Sequence, residues 1–183
     1  MPRYIAFLRG INVGGKNIIK METLKKSFEV MGFKNVKTFI QSGNVLFVSS
    51  SQNAVGIIKK IENALLNEYN DPIKVMLRTT DEIEKIIRAK PFRSIKEDNN
   101  TKLYVCFSAE ELKPKPAIPK FSEKESCEVV AIESMEVFII SRRMKNGRYG
   151  FPNSFIEKEL GKSFTARNWN TVCRIVGFKM SDI

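Results

Sequence analysis

Short apolar stretches alternate with longer amphipathic stretches in the N-terminal part of the chain. Four stretches have the length and composition of β-strands, at residues 3–9, 36–40, 45–48 and 73–77. Two longer stretches place apolar residues three or four positions apart, one from Met21 to Met31 and one from Val55 to Tyr69, and each predicts a helix. Ser50 or Ser51 is expected to cap the second of these helices. The order β-α-β-β-α-β predicts a ferredoxin-like, four-stranded antiparallel sheet with two helices on one face.

The C-terminal part has a different pattern. The sequence Thr79-Thr80-Asp81-Glu82 is a capping box that predicts a short helix. Strand-like stretches follow at residues 102–107, 128–133 and 136–141. A last helix is predicted with Thr165 as its N-cap and with one apolar face, formed by Ala166, Trp169, Cys173 and Val176.

These patterns predict an α+β protein of two lobes. The ferredoxin-like lobe is expected at 1–79, and a smaller C-terminal α+β lobe at 80–183 is expected to pack against it. The first strand is apolar on both faces, because Ile5 and Phe7 alternate with other apolar residues. An antiparallel sheet with one wet face alternates more cleanly, so the face opposite the two helices is expected to be covered, by the C-terminal half or by a second subunit.

Composition places the chain among folded proteins outside the membrane. Of its 183 residues, 43% are hydrophobic and 28% are charged, which is enough to form a core. No stretch approaches the roughly 20 apolar residues of a membrane span, and residues 1–9 are typical of a first strand and not of a signal peptide. Cys106, Cys127 and Cys173 are odd in number and widely spaced, which favours buried thiols in a reducing compartment. We therefore expect a cytoplasmic protein without membrane contact.

The chain contains no histidine. This excludes Ser-His-Asp and Cys-His nucleophiles, histidine-ligated metals and an imidazole acid or base. We expect neither a metal nor a cofactor, and no catalytic residue is identified. Any catalysis would have to use carboxylates, Lys, Tyr, Ser, Thr or Cys.

The formal net charge is +11, and a basic surface attracts polyanions such as nucleic acid and nucleotides. The alternative is a lysine-rich solvated surface, because the lysines are scattered along helices that also carry glutamate. The charge alone does not decide between the two.

The loop after the first strand, residues 9–17, is the first candidate site; we call it the glycine loop. Gly10-Ile11-Asn12-Val13-Gly14-Gly15-Lys16-Asn17 nearly matches the phosphate-loop pattern G-x-x-x-x-G-K-[ST]. Asn17 replaces the hydroxyl residue that would hold magnesium, and a β-α-β-β order gives a hairpin where such enzymes have a parallel sheet. A looser interpretation is an anion nest of backbone amides between Arg9 and Lys16. The alternative is that the glycines only permit an unusual turn.

Three further segments are weaker candidates. Phe7 and Phe47 lie on the first and third strands, where RNA-recognition domains carry base-stacking aromatics, but a covered face favours core packing for both. The basic segment 141–150 is either a phosphate clamp, with Tyr149 for stacking, or a solvated loop. In the segment 163–172, Arg167 and Asn168 lie off the apolar stripe, and each is directed either at a ligand or at a neighbouring carbonyl.

Three segments taken together resemble a known family. They are Arg9-Gly10-Ile11-Asn12-Val13-Gly14-Gly15, Gln41-Ser42-Gly43-Asn44-Val45-Leu46-Phe47 and Thr165-Ala166-Arg167-Asn168-Trp169-Asn170-Thr171-Val172. Their order and spacing are similar to those of a bacterial family of uncharacterised proteins, domain of unknown function 1697, over essentially the whole chain. The resemblance implies an intracellular bacterial protein with an α+β fold, and it suggests that the three segments meet in space. It implies no activity.

The leading functional hypothesis is binding of an anionic ligand, a nucleotide or nucleic acid, at the glycine loop. Its predicted ligand-binding residues are Arg9, Gly10, Asn12, Gly14, Gly15 and Lys16, joined by Arg167 and Asn168 from the C-terminal half. One alternative is a small-molecule enzyme that uses the same pocket without histidine or metal. Another is a structural or oligomerising module, such as a homodimer, in which the segments only hold the fold.

Overall fold

The structure is a computed structural model that describes residues 1–14, 18–95, 98–113, 117 and 120–177. The chain divides into two compact units, Met1–Ile83 and Glu84–Ile183. The first unit therefore ends slightly beyond the lobe boundary predicted at residue 79, within the helix that the Thr79 capping box starts. We describe each unit by itself.

The first unit contains six elements in the predicted β-α-β-β-α-β order. They are β1 (Arg3–Leu8), α1 (Met21–Val30), β2 (Lys34–Phe39), β3 (Asn44–Val48), α2 (Ala54–Tyr69) and β4 (Val75–Thr79). The strands form one antiparallel sheet in the order β2-β3-β1-β4. A helix, α3 (Thr80–Arg88), follows directly after β4.

The core of this unit lies between the sheet and its two helices. Tyr4, Ala6 and Leu8 project from β1 into a cluster that also contains Phe28 of α1 and residues of α2. Phe47 of β3 pairs with Tyr4 in register, so it projects into the same cluster. Burial of such aromatic side chains contributes about 1.5–3 kcal/mol each, which makes this aromatic cluster a main source of the unit's stability.

The opposite face of β1 is also buried. Ile5 and Phe7 are both fully buried, and neither belongs to the cluster under the helices. The strand is therefore apolar and buried on both of its faces, as its sequence indicated. What covers the second face stays a prediction.

Local signals define the ends of the helices. Thr79 and Glu82 form the predicted capping box, in which the Thr79 amide donates to the Glu82 carboxylate at 2.7 Å and the Glu82 amide donates to the Thr79 hydroxyl at 3.2 Å. The N-cap of α2 is Asn53, whose side chain accepts from the Gly56 amide at 3.0 Å. A cap by a serine at 50 or 51 was expected instead. Asn53 is the better placed because it directly precedes the first helical residue.

The second unit contains most of α3 and seven further elements. They are β5 (Thr101–Ser108), β6 (Lys120–Ser122), β7 (Cys127–Ile132), β8 (Glu136–Arg142), α4 (Pro152–Leu160), β9 (Phe164–Asn168) and α5 (Trp169–Ile175). The strands form an antiparallel sheet in the order β6-β7-β8-β5-β9. This sheet is larger than that of the first unit, because β6 and β9, which were not predicted as strands, join the three predicted ones.

The segment before α5 corrects one prediction. Residues 164–168 are a strand paired with β5, and they do not open the last helix. Thr165 therefore lies inside β9 and is not an N-cap, while Asn168 caps α5 by accepting from the Asn170 amide at 3.1 Å. The stripe that includes Ala166 and Trp169 suggested one long helix because a strand and a following helix can mimic a single period over a few residues.

Among the described residues, none of the helices is both long enough and apolar enough to span a membrane.

Candidate functional site

The glycine loop begins where β1 ends, and its described part covers residues 9–14. Three of these residues have positive φ at alternate positions: Gly10 at 75°, Asn12 at 54° and Gly14 at 61°. In an anion nest, left-handed and right-handed helical residues alternate so that successive amides face a common concavity, and these three residues supply the left-handed half of that pattern. Around Gly10 and Gly14 the space where a Cβ would stand is open, so these glycines serve the backbone conformation and not close packing.

The other loop residues differ in their surroundings. Arg9 is half-buried, and its amide donates to the Lys74 carbonyl at 2.9 Å, which fixes the start of the loop against the residue before β4. Gly10 and Gly14 are exposed. Gly15 and Lys16, also predicted to bind the ligand, lie outside the described residues.

Asn12 was predicted to bind the ligand, but its side chain holds the loop in place. Its Nδ2 donates to the Ile19 carbonyl at 3.0 Å and to the Gln41 carbonyl at 2.8 Å. Its Oδ1 accepts from the Ile19 amide at 2.8 Å. We call these three bonds the Asn12 clamp. They close the loop on itself and tie it to the turn between β2 and β3, so Asn12 is a positioning residue here.

The turn between β2 and β3 packs directly against the glycine loop. Gly43 has φ +71°, and a Cβ at this position would lie 2.7 Å from Ile11 Cδ1 and 3.0 Å from Leu8 Cβ. The Leu8 amide donates to the Gly43 carbonyl at 2.8 Å. The segments around Gly10 and Gly43 therefore meet in space. That the third segment, 165–172, joins them stays a prediction. Only glycine combines this φ with this close approach.

Arg167 lies in the second unit and is buried, with 7% of its surface exposed. Its Nη1 donates to the Thr165 hydroxyl at 2.7 Å and to the Ala166 carbonyl at 2.9 Å. Burial lowers the pKa of the guanidinium to about 10, and the nearby Cys106 opposes this shift. These contacts are those of a side chain that holds β9. Asn168, the other predicted residue, caps α5.

The basic segment 141–150 forms a hairpin whose first arginines have partners in the protein. Arg142 pairs with Glu128 at 2.6 Å, and Arg143 Nε donates to the Gly147 carbonyl at 3.0 Å. The ring of Tyr149 lies under Lys102 Nζ, 4.1 Å from the ring centroid. One face of that ring is therefore occupied, which weakens the interpretation of Tyr149 as a base-stacking platform.

The two aromatics considered for base stacking do not share a face of the first sheet. Phe47 pairs with Tyr4, whereas Phe7 pairs with Asn44. Because side chains alternate along a strand, Phe7 and Phe47 project from opposite faces. Both are fully buried, so core packing accounts for each of them.

The three cysteines are free and buried. Burial raises the pKa of the Cys106 thiol far above its ordinary value, and burial also raises that of Cys127. Neither thiol has the character of a nucleophile. In the described part of the chain, no group of three or more His, Cys, Asp or Glu side chains is arranged to hold a metal ion.

The fold, together with the packing of the glycine loop against the turn at Gly43, defines a class of α+β protein built on two antiparallel sheets. Within that class, the chain belongs to the family described as "Protein of unknown function (DUF1697)", whose profile matches residues 1–138. The matched part includes the glycine loop and the turn at Gly43, and it ends before β9. No curated protein matches the chain.

A solved structure has the same fold. It is that of the conserved bacterial protein SP0830 from Streptococcus pneumoniae, with a TM-score of 0.68 and 20% sequence identity. The similarity covers 96% of this chain and 97% of that one. At this level of identity the likeness concerns the fold alone.

Proposed function

We propose that the glycine loop binds an anionic group, the phosphate of a nucleotide or nucleic acid. The observation that carries the proposal is the alternation of positive φ at Gly10, Asn12 and Gly14 in a loop that exposes both of these glycines. Such a backbone directs amide dipoles at a bound anion. In sequence, Arg9 begins the loop and Lys16 lies near its end, and the net charge of +11 favours an anionic partner.

In this proposal the Asn12 clamp has a supporting role. Residues that are already held in place before binding do not have to lose conformational freedom when the ligand arrives. The clamp and the close approach of Gly43 to Ile11 hold residues 11 and 12 in this way. The roles of Arg9, Gly10 and Gly14 as ligand contacts are retained, while Asn12 acts through the backbone.

The Asn12 clamp also favours a second candidate, a purely structural role for the loop. In that case the glycines permit the turn, and the loop serves only to connect β1 to α1 and to brace the turn at Gly43. The two candidates differ in one measurable respect, because only the first makes ligand affinity depend on the loop conformation.

A pair of matched glycine variants separates the candidates. Gly14 and Gly161 have nearly the same φ, +61° and +63°, and open space around both. Alanine at either position therefore carries a similar backbone strain, about 1–2 kcal/mol. Gly161 ends α4 in the second unit, so Gly161→Ala is a control for stability alone. The proposal predicts that Gly14→Ala weakens anion binding and that Gly161→Ala does not.

The measurement is a thermal-shift titration with a nucleoside diphosphate and with a short single-stranded oligonucleotide, each at low and high salt. A ligand present at 100 times its dissociation constant stabilises the folded state by about 2.7 kcal/mol. Binding to phosphate must weaken as salt rises, more steeply for the oligonucleotide. Equal affinity in both variants, or no stabilisation at low salt, would favour the structural candidate.

We infer in addition that the protein works in the bacterial cytoplasm. Three free, buried cysteines suit a reducing compartment, and the structural neighbour is described as a conserved bacterial protein. Detection of the endogenous protein in the cytosolic fraction would test this placement.

A further inference from the structure

A cleft of about 170 Å³ lies in the first unit, between the end of α1 and the start of α2. Its polar lining includes the three consecutive serines Ser49, Ser50 and Ser51 together with Lys60. Its apolar lining includes Phe33 and Ile57. These residues come from three separate parts of the chain, so no local sequence pattern connects them.

The serine hydroxyls have protons available for a ligand. Ser49 is 6% exposed, and its Oγ accepts from the Ser51 amide at 3.1 Å. The Ser51 Oγ in turn accepts from the Asn53 amide at 3.2 Å. Each of these oxygens already accepts one bond, so each hydroxyl proton points elsewhere. Neither proton has an acceptor among the described residues, so both hydroxyls are able to donate to a molecule in the cleft.

Lys60 adds a positive charge at the same cleft. Its Nζ lies 5.5 Å from the centroid of the Phe33 ring. Within the described part of the chain this ammonium forms no ion pair, so its charge is open to a ligand. The amide of Gly56, at the start of α2, is already taken by Asn53. The donors in the cleft are therefore side chains. The site does not depend on the free amides at the N-terminus of α2.

We propose that this cleft binds the oxyanion of a small organic phosphate ester. Serine hydroxyls and Lys60 donate to the phosphate oxygens, and the organic group lies over the small apolar area that Phe33 and Ile57 leave exposed. The volume is below the roughly 300–1,000 Å³ of pockets for drug-sized ligands. A phosphate monoester with a small organic group matches the size of the cleft.

This site is distinct from the glycine loop. The loop adjoins the start of β3 through Gly43, whereas Ser49 follows the end of β3. A five-residue strand spans about 17 Å, which separates the two sites along the sheet. The inference does not rest on the function proposed for the loop.

Phenyl phosphate is a suitable probe, titrated into the ¹⁵N-labelled full chain and followed by amide chemical shifts. Lys60→Met removes the ammonium and keeps the length of the side chain. Lys59→Met is the matched control, because Lys59 is the neighbouring exposed lysine on α2 and does not line the cleft. Loss of one charge-assisted contact predicts about tenfold weaker binding in Lys60→Met and unchanged binding in Lys59→Met. Ser50→Ala, at an exposed position, provides a second variant.

The amides that shift identify the site. Saturable shifts at 49–51 and Gly56, weakened by Lys60→Met alone, support the proposal. Shifts confined to residues 10–14 would overturn the cleft and leave the glycine-loop proposal intact. Equal weakening by the two lysine variants would mean a general charge effect and would also overturn it, as would no shift at 49–56.

Discussion

Replacement of Asn12 by aspartate tests whether the Asn12 clamp holds the glycine loop. The change preserves the shape of the side chain and the acceptor for the Ile19 amide. It replaces the Nδ2 group, which donates to the Ile19 and Gln41 carbonyls at 3.0 and 2.8 Å, with an oxygen that faces the same two carbonyls. Two hydrogen bonds are lost and two repulsive contacts are created.

The magnitude follows from these contacts. Each lost hydrogen bond costs about 1 kcal/mol net, and leaving the carbonyls without their donor adds a similar amount. We therefore expect Asn12→Asp to lower the free energy of unfolding by about 2–4 kcal/mol at neutral pH. Asn12→Gly removes all three bonds but suits the positive φ of 54°, so its loss should fall at the lower end of that range.

The pH dependence has a definite sign. The introduced carboxyl can donate a hydrogen bond only when it is protonated, so its pKa in the folded state is raised above the ordinary value of about 3.9. The loss in free energy of unfolding, relative to the natural protein, is fully present above the raised pKa. It becomes smaller as the pH falls through that pKa.

Urea unfolding followed by circular dichroism gives the stability difference from the change in midpoint at constant slope. The Ile19 amide donates a hydrogen bond to Asn12 Oδ1 in the structure. The rate of hydrogen exchange at this amide therefore reports opening of the clamp locally. A stability within about 0.5 kcal/mol of the natural protein, the range of ordinary surface substitutions, would refute the clamp.

Three further predictions concern stability. Gly43→Ala places a Cβ 2.7 Å from Ile11 Cδ1 at a φ of +71°, so we expect a loss of about 2–4 kcal/mol in denaturant unfolding; a neutral effect would mean that the two segments are not tightly packed. Arg167→Ala should cost about 2–4 kcal/mol and leave anion affinity unchanged; the reverse result would make Arg167 a ligand contact. Burial raises the pKa of Cys106, so stability should fall as the pH rises past about 8.5, where only unfolded thiols ionise. Cys106→Ala should flatten that fall, and an equally steep decline in the variant would contradict it.

Much of the first unit could be predicted from its sequence. Its core follows from local alternation along the strands and from helical spacing, so the burial of residues such as Phe28 and Phe47 can be predicted from their neighbours in sequence. The hairpin at Gly43 and the Thr79 capping box depend on neighbouring residues only. Signals of this kind are complete within a few positions of the chain.

Prediction failed where the structure depends on distant partners. The strand at 164–168 forms because it pairs with β5 at the edge of the sheet. Its own residues do not distinguish it from the start of a helix. The role of Asn12 depends on carbonyls at 19 and 41 that the sequence does not bring together. The cleft at Ser49 was missed for the same reason, since Ser50 and Ser51 were considered only as helix caps.

Binding of an anion by the backbone of the glycine loop is tested most directly in crystals soaked with tungstate, a heavy-atom phosphate analogue that anomalous difference density locates. We expect a bound anion within hydrogen-bond distance, about 3 Å, of amides in residues 10–14. Well-occupied density elsewhere on the protein, with none at the loop, would contradict it.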